Sequence, residues 1–302
     1  MKYAVLAPVH AGVTSDPSWM TEFAGHVEAC GFESIVVVEH PVVIADYKSR
    51  YPYDPSGRFD LAADCDIPDP LDLLSFIAAR TEVLGLATGV LVLPTQHPVV
   101  LAKRVATLDK LARGRVRLCV GVGWMREEAE ACGVDFASRG RRADESIDVM
   151  RALWAKSGAE GVSHHGEFYA FDGALSFPKP YRDSGVPIHI GGHSPAAARR
   201  AGRRGDGFQP LGLGRADLGD RLALMRAEAA RVGREPDLLE VTLGHQVGRI
   251  TAERAADLAA LGAHRLLLSP SPDPDLGRVK DELSACAERL GIDSRDRRAG
   301  NV

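Results

Sequence analysis

Residues 187–211 read PIHIGGHSPAAARRAGRRGDGFQPL and contain a strand, a helix and a second strand in that order. The apolar run at 187–191 predicts the first strand, and residues 207–211 predict the second. Between them, Ser194 is a typical N-cap residue and Pro195 suits the first position of a helix. The segment therefore predicts a strand, a crossover helix and a parallel strand.

The same alternation continues along the whole chain of 302 residues. Several of the short runs are apolar almost throughout, which is typical of parallel strands covered on both faces. Eight strands alternating with helices favour a closed (β/α)8 TIM barrel, with an open doubly wound sheet as the alternative. Since no linker interrupts the pattern, we expect a single domain over residues 1–302. The predicted strands are residues 3–8, 34–39, 84–93, 115–122, 187–191, 207–211, 240–246 and 265–269, and the predicted helices are residues 18–30, 69–82, 98–112, 126–132, 142–154, 195–204, 217–232, 252–261 and 275–290.

Two segments are too long to be simple connections. Residues 41–68 follow the second strand and are rich in Tyr, Asp and Pro. Residues 157–186 are an insertion before the fifth strand, in which 167–171 and 174–177 predict a hairpin around Asp172-Gly173. Long segments of this kind are commonly lids or binding loops, so we expect them near the site.

The composition, with 45% hydrophobic and 26% charged residues, is that of an ordinary globular protein. The formal net charge is −4, and the basic residues form no block, so we expect neither nucleic acid nor a membrane as a partner. The five cysteines include no C-x-x-C pair, which argues against a disulfide framework or a zinc knuckle. No signal peptide or long apolar stretch is present, so we expect a cytoplasmic protein.

In a barrel of this type, function lies where the strands end and the following loops begin. After the predicted fifth strand, Gly191, Gly192, His193 and Ser194 lead into a helix. Glycine allows a ligand to approach the backbone, and a helix N-terminus attracts anions, so this turn is suited to a phosphate. An ordinary capped turn would have the same residues.

Residues in or after two other predicted strands could also take part in binding. Gly121 and Gly123 follow the fourth strand, but Arg126 stands where a dinucleotide fingerprint requires its third glycine. These glycines more plausibly clear space for a flat ligand, with Trp124 either walling the pocket or belonging to the core. Gly89, between Thr88 and Val90 inside the third strand, indicates a bulge or a close approach of another group.

Glu39 and His40 place an acid beside an imidazole at the end of the second strand. A histidine is the usual general acid or base near neutral pH, although the two side chains could simply satisfy one another. Glu127 and Glu128 stand at a helix start, where they favour the helix dipole without a chemical role.

A metal-dependent barrel hydrolase is a second class of interpretation, because five histidines fall near strand ends. The sequence contains no His-x-His pair, so we expect no metal site. A cofactor-binding protein without turnover is a third class. The five histidines are His10, His40, His97, His193 and His245.

Several blocks in order resemble the luciferase-like monooxygenase superfamily, and more closely its branch of oxidoreductases that depend on the deazaflavin coenzyme F420. The resemblance covers most of the chain. The blocks are residues 88–94 with 97–103, 108–111 with 114–115, 120–124 with 127–128, 139–141 with 144–145, and 187–192 with 194–195 and 205–208.

This resemblance implies a TIM barrel with an insertion before the fifth strand, commonly a cis peptide at Gly89–Val90, and a homodimer. It implies hydride transfer between F420 and a small organic substrate, with Glu39 and His40 at the reacting centre. FMN with oxygen activation is the alternative cofactor chemistry. Trp124 stands where the sugar-phosphate dehydrogenases of this branch carry a carboxylate, which argues against that particular activity. The residues expected at the cofactor are Thr88, Gly89, Val90, Gly121, Gly123, Trp124, Gly191, Gly192, His193 and Ser194.

Overall fold

The computed structural model describes residues 1–62 and 64–293, so residues 294–302 of the predicted domain lie outside the described part. Strands and helices alternate through it in the expected order. The strands are β1 Lys2–Leu6, β2 Ser34–Val37, β3 Gly85–Thr88, β4 Leu91–Val92, β5 Val116–Gly121, β6 Val162–His165, β7 Ala170–Ala174, β8 Ile188–Gly191, β9 Gly207–Gln209, β10 Glu240–Gln246 and β11 Arg265–Ser269. The helices are α1 Pro17–Ala29, α2 Pro70–Ala78, α3 Pro98–Leu111, α4 Arg126–Ala131, α5 Arg139–Trp154, α6 Pro195–Arg204, α7 Arg215–Arg231, α8 Ala252–Ala260 and α9 Leu276–Leu290.

The parallel strands close into a barrel. The order around it is β3, β2, β1, β11, β10, β9, β8 and β5. Pairing of β3 with β5, where Leu86 lies opposite Val116, completes the ring. The predicted third strand is split into β3 and β4, and β4 also pairs with β5. The expected (β/α)8 TIM barrel is therefore confirmed, and the open sheet is wrong.

Several helices begin with the same local signal, an N-cap side chain followed by proline. Asp16 accepts hydrogen bonds from two backbone amides of α1, and Asp69 does the same at α2. Ser194 caps α6 in the same way, with Pro195 at the first helical position, as the sequence predicts. Within the described residues, no helix combines the length and the hydrophobicity that a membrane crossing requires.

Buried charges fill the barrel interior at the N-terminal ends of the strands. Arg265, only 2% exposed, donates to both Glu33 and Glu240, and Arg117 donates to Glu33 as well. Burial opposes ionisation of Glu33, but the two arginine charges outweigh it and hold the pKa of this carboxyl well below its usual range. This network closes one end of the barrel, so a ligand site is left to the opposite, C-terminal end.

The insertion before the fifth barrel strand contains a hairpin, but its position differs from the expected one. Its arms are β6 and β7, so the chain reverses at residues 166–169, and Gly173 lies within a strand. The reason lies in α5, where Glu145 accepts hydrogen bonds from the backbone amides of Phe168 and Tyr169. The predicted reversal at Asp172-Gly173 is therefore wrong, because a tertiary contact fixes the turn elsewhere.

Candidate functional site at the barrel mouth

The residues singled out from the sequence lie around one opening. Parallel strands all end on the same side of a barrel, so the segments after β2, β3, β5 and β8 meet at its C-terminal mouth. His40, Val90, Trp124 and His193 follow these four strands in turn.

Val90 forms the floor of this mouth. The Gly89–Val90 peptide is cis, as the resemblance implies, and the Val90 side chain is half-buried. A Cβ atom at Gly121 would lie 2.7 Å from Val90 Cγ2, and one at Gly191 would lie 2.3 Å from Val90 Cγ1. Both glycines are therefore required to make room for this side chain. The expectation that Gly121 directly clears space for a ligand is wrong, since Val90 takes that space.

Gly89 and Gly123 are constrained in different ways. A Cβ atom at Gly89 would meet Val36 Cγ1 at 2.3 Å, so this position also needs glycine for packing. Gly123 adopts a φ of +78°, which favours glycine by conformation. Both residues shape the mouth through the backbone.

Thr88 supports the floor from below. Its side chain is buried, and its hydroxyl donates to the Cys119 carbonyl at 2.6 Å and accepts from the Cys119 amide at 2.9 Å. These bonds brace β3 against β5. The resemblance places Thr88 at the cofactor, whereas its hydroxyl is engaged with Cys119.

Gln209, at the end of β9, is a residue of the mouth that the sequence did not predict. Its backbone carbonyl accepts from the Gly192 amide at 3.2 Å, and its Oε1 accepts from the Cys119 thiol at 3.3 Å. Its Nε2 is buried without a partner and lies 3.9 Å from where a Cβ of Gly89 would stand. It lies inside the predicted strand 207–211, and no local signal marks the end of β9 at this residue. Gln209 thus offers an unpaired donor beside the Val90 floor.

The turn between β8 and α6 has the features of an anion site. Gly192 adopts a φ of +121°, which side chains rarely tolerate. Ser194 Oγ accepts from the Ala197 amide at 3.2 Å and so fixes the start of α6. The His193 ring packs against Tyr53 at 5.1 Å, and its Nδ1 is buried without a partner. One unpaired ring nitrogen and a helix N-terminus thus lie at this turn, and a helix N-terminus is suited to a phosphate.

His40 is held by Glu128 and makes no bond to its neighbour Glu39. His40 Nδ1 lies 2.9 Å from Glu128 Oε1, and the Glu128 side chain is only 1% exposed. Nδ1 is thus engaged with Glu128, and Nε2 is the ring nitrogen that this contact leaves free. The expectations that Glu39 pairs with His40 and that Glu128 serves only the helix dipole are therefore wrong. This contact was not predictable from the sequence, because Glu128 lies on α4, 88 residues beyond His40.

Glu39 instead forms hydrogen bonds with β4 and with Gln96, which follows that strand. Its carboxylate accepts from the Val92 amide and, at 2.9 Å, from Gln96 Nε2. Burial above all, together with the charges of Asp69 and Glu128, raises the pKa of Glu39 to about 7, against the hydrogen bond from Val92. Glu39 therefore titrates near neutral pH although it does not touch the imidazole.

An aromatic wall, defined as Tyr47, Tyr51, Phe59 and Trp124, lies beside His40. The ring centroids of Tyr47, Tyr51 and Phe59 lie 5.3, 5.2 and 6.0 Å from that of Trp124. The His40 ring lies 4.9 Å from Phe59 and 6.1 Å from Trp124. Trp124 therefore walls the mouth, and most of this wall comes from the long segment after β2.

Glu127 fastens that long segment to α4. Its carboxylate accepts from the Ser49 hydroxyl at 2.7 Å and from the Lys48 amide at 2.7 Å. These hydrogen bonds, the one from Ser49 above all, lower the pKa of Glu127 to about 2. The adjacent acids of α4 thus have separate tasks, since Glu127 holds the loop and Glu128 holds the imidazole.

Metal-ligating side chains do not cluster in the part of the chain described. Within residues 1–62 and 64–293, no group of three or more His, Cys, Asp and Glu side chains is arranged to hold a metal ion. The histidines near the strand ends take other contacts, as His97 does against the Tyr169 ring at 5.4 Å.

The barrel fold is shared with known proteins. The family model of luciferase-like monooxygenases matches residues 1–297, and the chain belongs to this family. An uncharacterized protein of Mycobacterium tuberculosis (strain H37Rv) is 33% identical over 213 residues, covering 70% of this chain and 72% of the relative. The F420-dependent glucose-6-phosphate dehydrogenase of Nocardia farcinica is 38% identical over 182 residues, covering 57% of this chain and 52% of that enzyme.

Two solved structures show the same fold. An F420-dependent secondary alcohol dehydrogenase in complex with an F420-acetone adduct matches with a TM-score of 0.75 and 18% identity, over 96% of this chain and 98% of that chain. The oxygenating constituent of 3,6-diketocamphane monooxygenase from Pseudomonas putida, in complex with FMN, matches with a TM-score of 0.65 and 19% identity, over 98% and 81%. Relatives of this fold thus include proteins with either cofactor.

Proposed function

We propose that the protein is an F420-dependent oxidoreductase that transfers hydride to or from a small organic substrate at the barrel mouth. The observation that carries this proposal is the His40–Glu128 pair. Reduction of a carbonyl, or oxidation of an alcohol, moves a proton to or from oxygen whenever hydride moves at carbon. An imidazole with one nitrogen fixed and the other free is suited to that proton transfer. The F420-dependent relatives support the choice of cofactor.

The residues at the mouth fit such a cofactor. Its phosphate would lie at the start of α6, held by the turn of Gly192, His193 and Ser194. The unpaired Gln209 Nε2 offers a hydrogen-bond donor to its polar edges, and the unpaired His193 Nδ1 offers a donor or an acceptor according to its tautomer. The apolar Val90 side chain offers support to a flat ring. When bound, F420 supplies the carbon centre that accepts or gives the hydride.

The protein's own task in the reaction is proton transfer and exclusion of water. His40 Nε2 takes the hydroxyl proton during alcohol oxidation, or returns it to the oxygen during carbonyl reduction. Glu128 keeps the imidazole in the required tautomer and stabilises its charge once it is protonated. The aromatic wall shields this exchange from bulk water, which strengthens the electrostatic interaction between His40 and Glu128.

Two titrations test the cofactor. The protein should bind F420 more tightly than FMN, which can be measured by fluorescence titration of each compound under the same conditions. Tight binding of FMN with oxygen consumption, and no binding of F420, would overturn the proposal in favour of a flavin monooxygenase.

Replacement of the imidazole tests the proton transfer. His40→Ala should bind F420 almost as the parent does but lose about 10²–10⁴-fold in turnover, the usual contribution of a general acid or base. Turnover is measured as F420 oxidation or reduction over a panel of alcohols, ketones, enones and imines. A parental rate across the pH range would show that His40 has no part in the reaction.

A further inference from the structure

The surroundings of His40 bear directly on which substrate the mouth accepts. Two residues of the aromatic wall face His40. The ring centroids of Phe59 and Trp124 lie 4.9 and 6.1 Å from that of His40. A substrate that reaches the imidazole must therefore lie against aromatic rings. Such surface favours apolar and flat molecules.

The charges at this position disfavour an anion. Glu39 and Glu128 are both buried beside His40, so a phosphate or carboxylate placed here would face two carboxyl groups. Arg126 pairs with Glu130 at 3.4 Å, and the Arg58 guanidinium, which keeps its charge, lies over the Tyr47 ring at 4.4 Å and not against the His40 ring. The charged groups next to the imidazole are therefore acidic, and an anionic substrate would meet repulsion there.

The ring geometry also disfavours a cation. Recognition of an ammonium group requires open aromatic faces directed at one point. Here Trp124 meets Tyr47 and His40 at interplanar angles of 80° and 81°, so ring edges already cover ring faces. The Tyr47 face is occupied as well, since the Arg58 guanidinium lies 4.4 Å from its ring centroid.

One polar atom in the wall lacks a partner. Trp124 Nε1 is buried and makes no hydrogen bond within the described residues. Buried polar groups nearly always have a partner, and an indole N–H can only donate. An acceptor oxygen on a bound molecule would be a suitable partner. In the proposed reaction, the His40 imidazole exchanges a proton with such an oxygen.

From these observations we propose that the substrate is an uncharged, largely apolar carbonyl compound or the corresponding alcohol, and that Trp124 Nε1–H donates a hydrogen bond to its oxygen. The inference rests on the proposed function, because it places the reacting oxygen beside His40. Trp124 becomes a substrate-binding residue, which differs from its expected place at the cofactor.

Matched probes test the charge requirement. Cyclohexanone is compared with two derivatives that carry a carboxylate or an ammonium group on the ring carbon opposite the carbonyl. Binding to the protein is measured by calorimetry, with and without F420. We expect cyclohexanone to bind at least about tenfold more tightly than either charged derivative. Equal or tighter binding of a charged derivative, or no measurable binding of cyclohexanone, would overturn the proposed substrate class.

A second comparison isolates the indole N–H. Trp124→Phe should weaken cyclohexanone about tenfold but leave methylenecyclohexane, which has the same shape without the oxygen, within about twofold of the parent. Trp19→Phe is the control, since Trp19 lies on α1 and its N–H donates to the Pro274 carbonyl. Equal weakening of both ligands by Trp124→Phe would show that only ring packing is lost.

The two proposals fail in different ways. If cyclohexanone binds through Trp124 while F420 does not bind, the cofactor assignment is wrong and the substrate class stands. If F420 binds while a charged derivative is preferred, the cofactor assignment stands and the substrate class is wrong.

Discussion

Glu128→Gln removes the buried charge beside His40 while nearly preserving the shape of the side chain. The two groups lie 2.9 Å apart with side chains only 9% and 1% exposed, so solvent screens their interaction little. A hydrogen bond to a charged group contributes about 1.5–3 kcal/mol. If this contribution is realised when the imidazole becomes charged, its loss should lower kcat by about tenfold to 150-fold.

The assay separates this role from a structural one. Turnover, KM and the Kd for F420 are measured for the parent, for Glu128→Gln and for Glu130→Gln. Glu130 lies on the same helix, has a side chain that is 55% exposed and, among the charged groups of the described residues, pairs only with Arg126, so its replacement is the matched control. We expect kcat to fall only in Glu128→Gln, with the Kd for F420 unchanged in both variants.

A pH profile adds a second readout. The charge of Glu128 contributes to the raised pKa of Glu39, after burial and the charge of Asp69. Its removal should therefore lower the pKa of Glu39, and any limb of the profile that reports this carboxyl should move to lower pH. An unchanged kcat and an unchanged profile in folded Glu128→Gln would refute the assignment of Glu128 to His40.

Three further outcomes follow from the packing and charges of the mouth. Because the pKa of Glu39 rises from 4.5 to about 7 on folding, the free energy of unfolding should fall as pH rises through this range. Thermal unfolding of Glu39→Gln should lack this fall, so its stability relative to the parent should increase by up to about 3 kcal/mol across the range. Gly191→Ala should destabilise the barrel by about 1–3 kcal/mol, because its Cβ atom clashes with Val90. Chemical denaturation of the double variant with Val90→Ala should show most of this stability restored, and no restoration would contradict the packing described. Gly192→Asp should abolish F420 binding, whereas Gly192→Ala, which carries the same backbone strain, should weaken it less. Equal affinities of the two variants for F420 would place the phosphate elsewhere.

The sequence by itself determined the barrel, because its signals are local. Apolar runs, the N-caps Asp16, Asp69 and Ser194 and the prolines after them each act over a few residues, and their order fixes the strand–helix alternation. The positions around the mouth were also predictable, since every residue that follows a parallel strand must lie at the same end. The blocks shared with the family added the cis peptide at Gly89–Val90.

Only the tertiary structure decided which side chains act together. Adjacency in the sequence suggested a pair of Glu39 and His40, but neighbouring residues at a strand end project in different directions, and the imidazole meets Glu128 instead. Likewise, Gly121 and Gly191 are required by the volume of Val90, a residue far from both in sequence. Such contacts depend on distances across the barrel, which no local pattern of residues encodes.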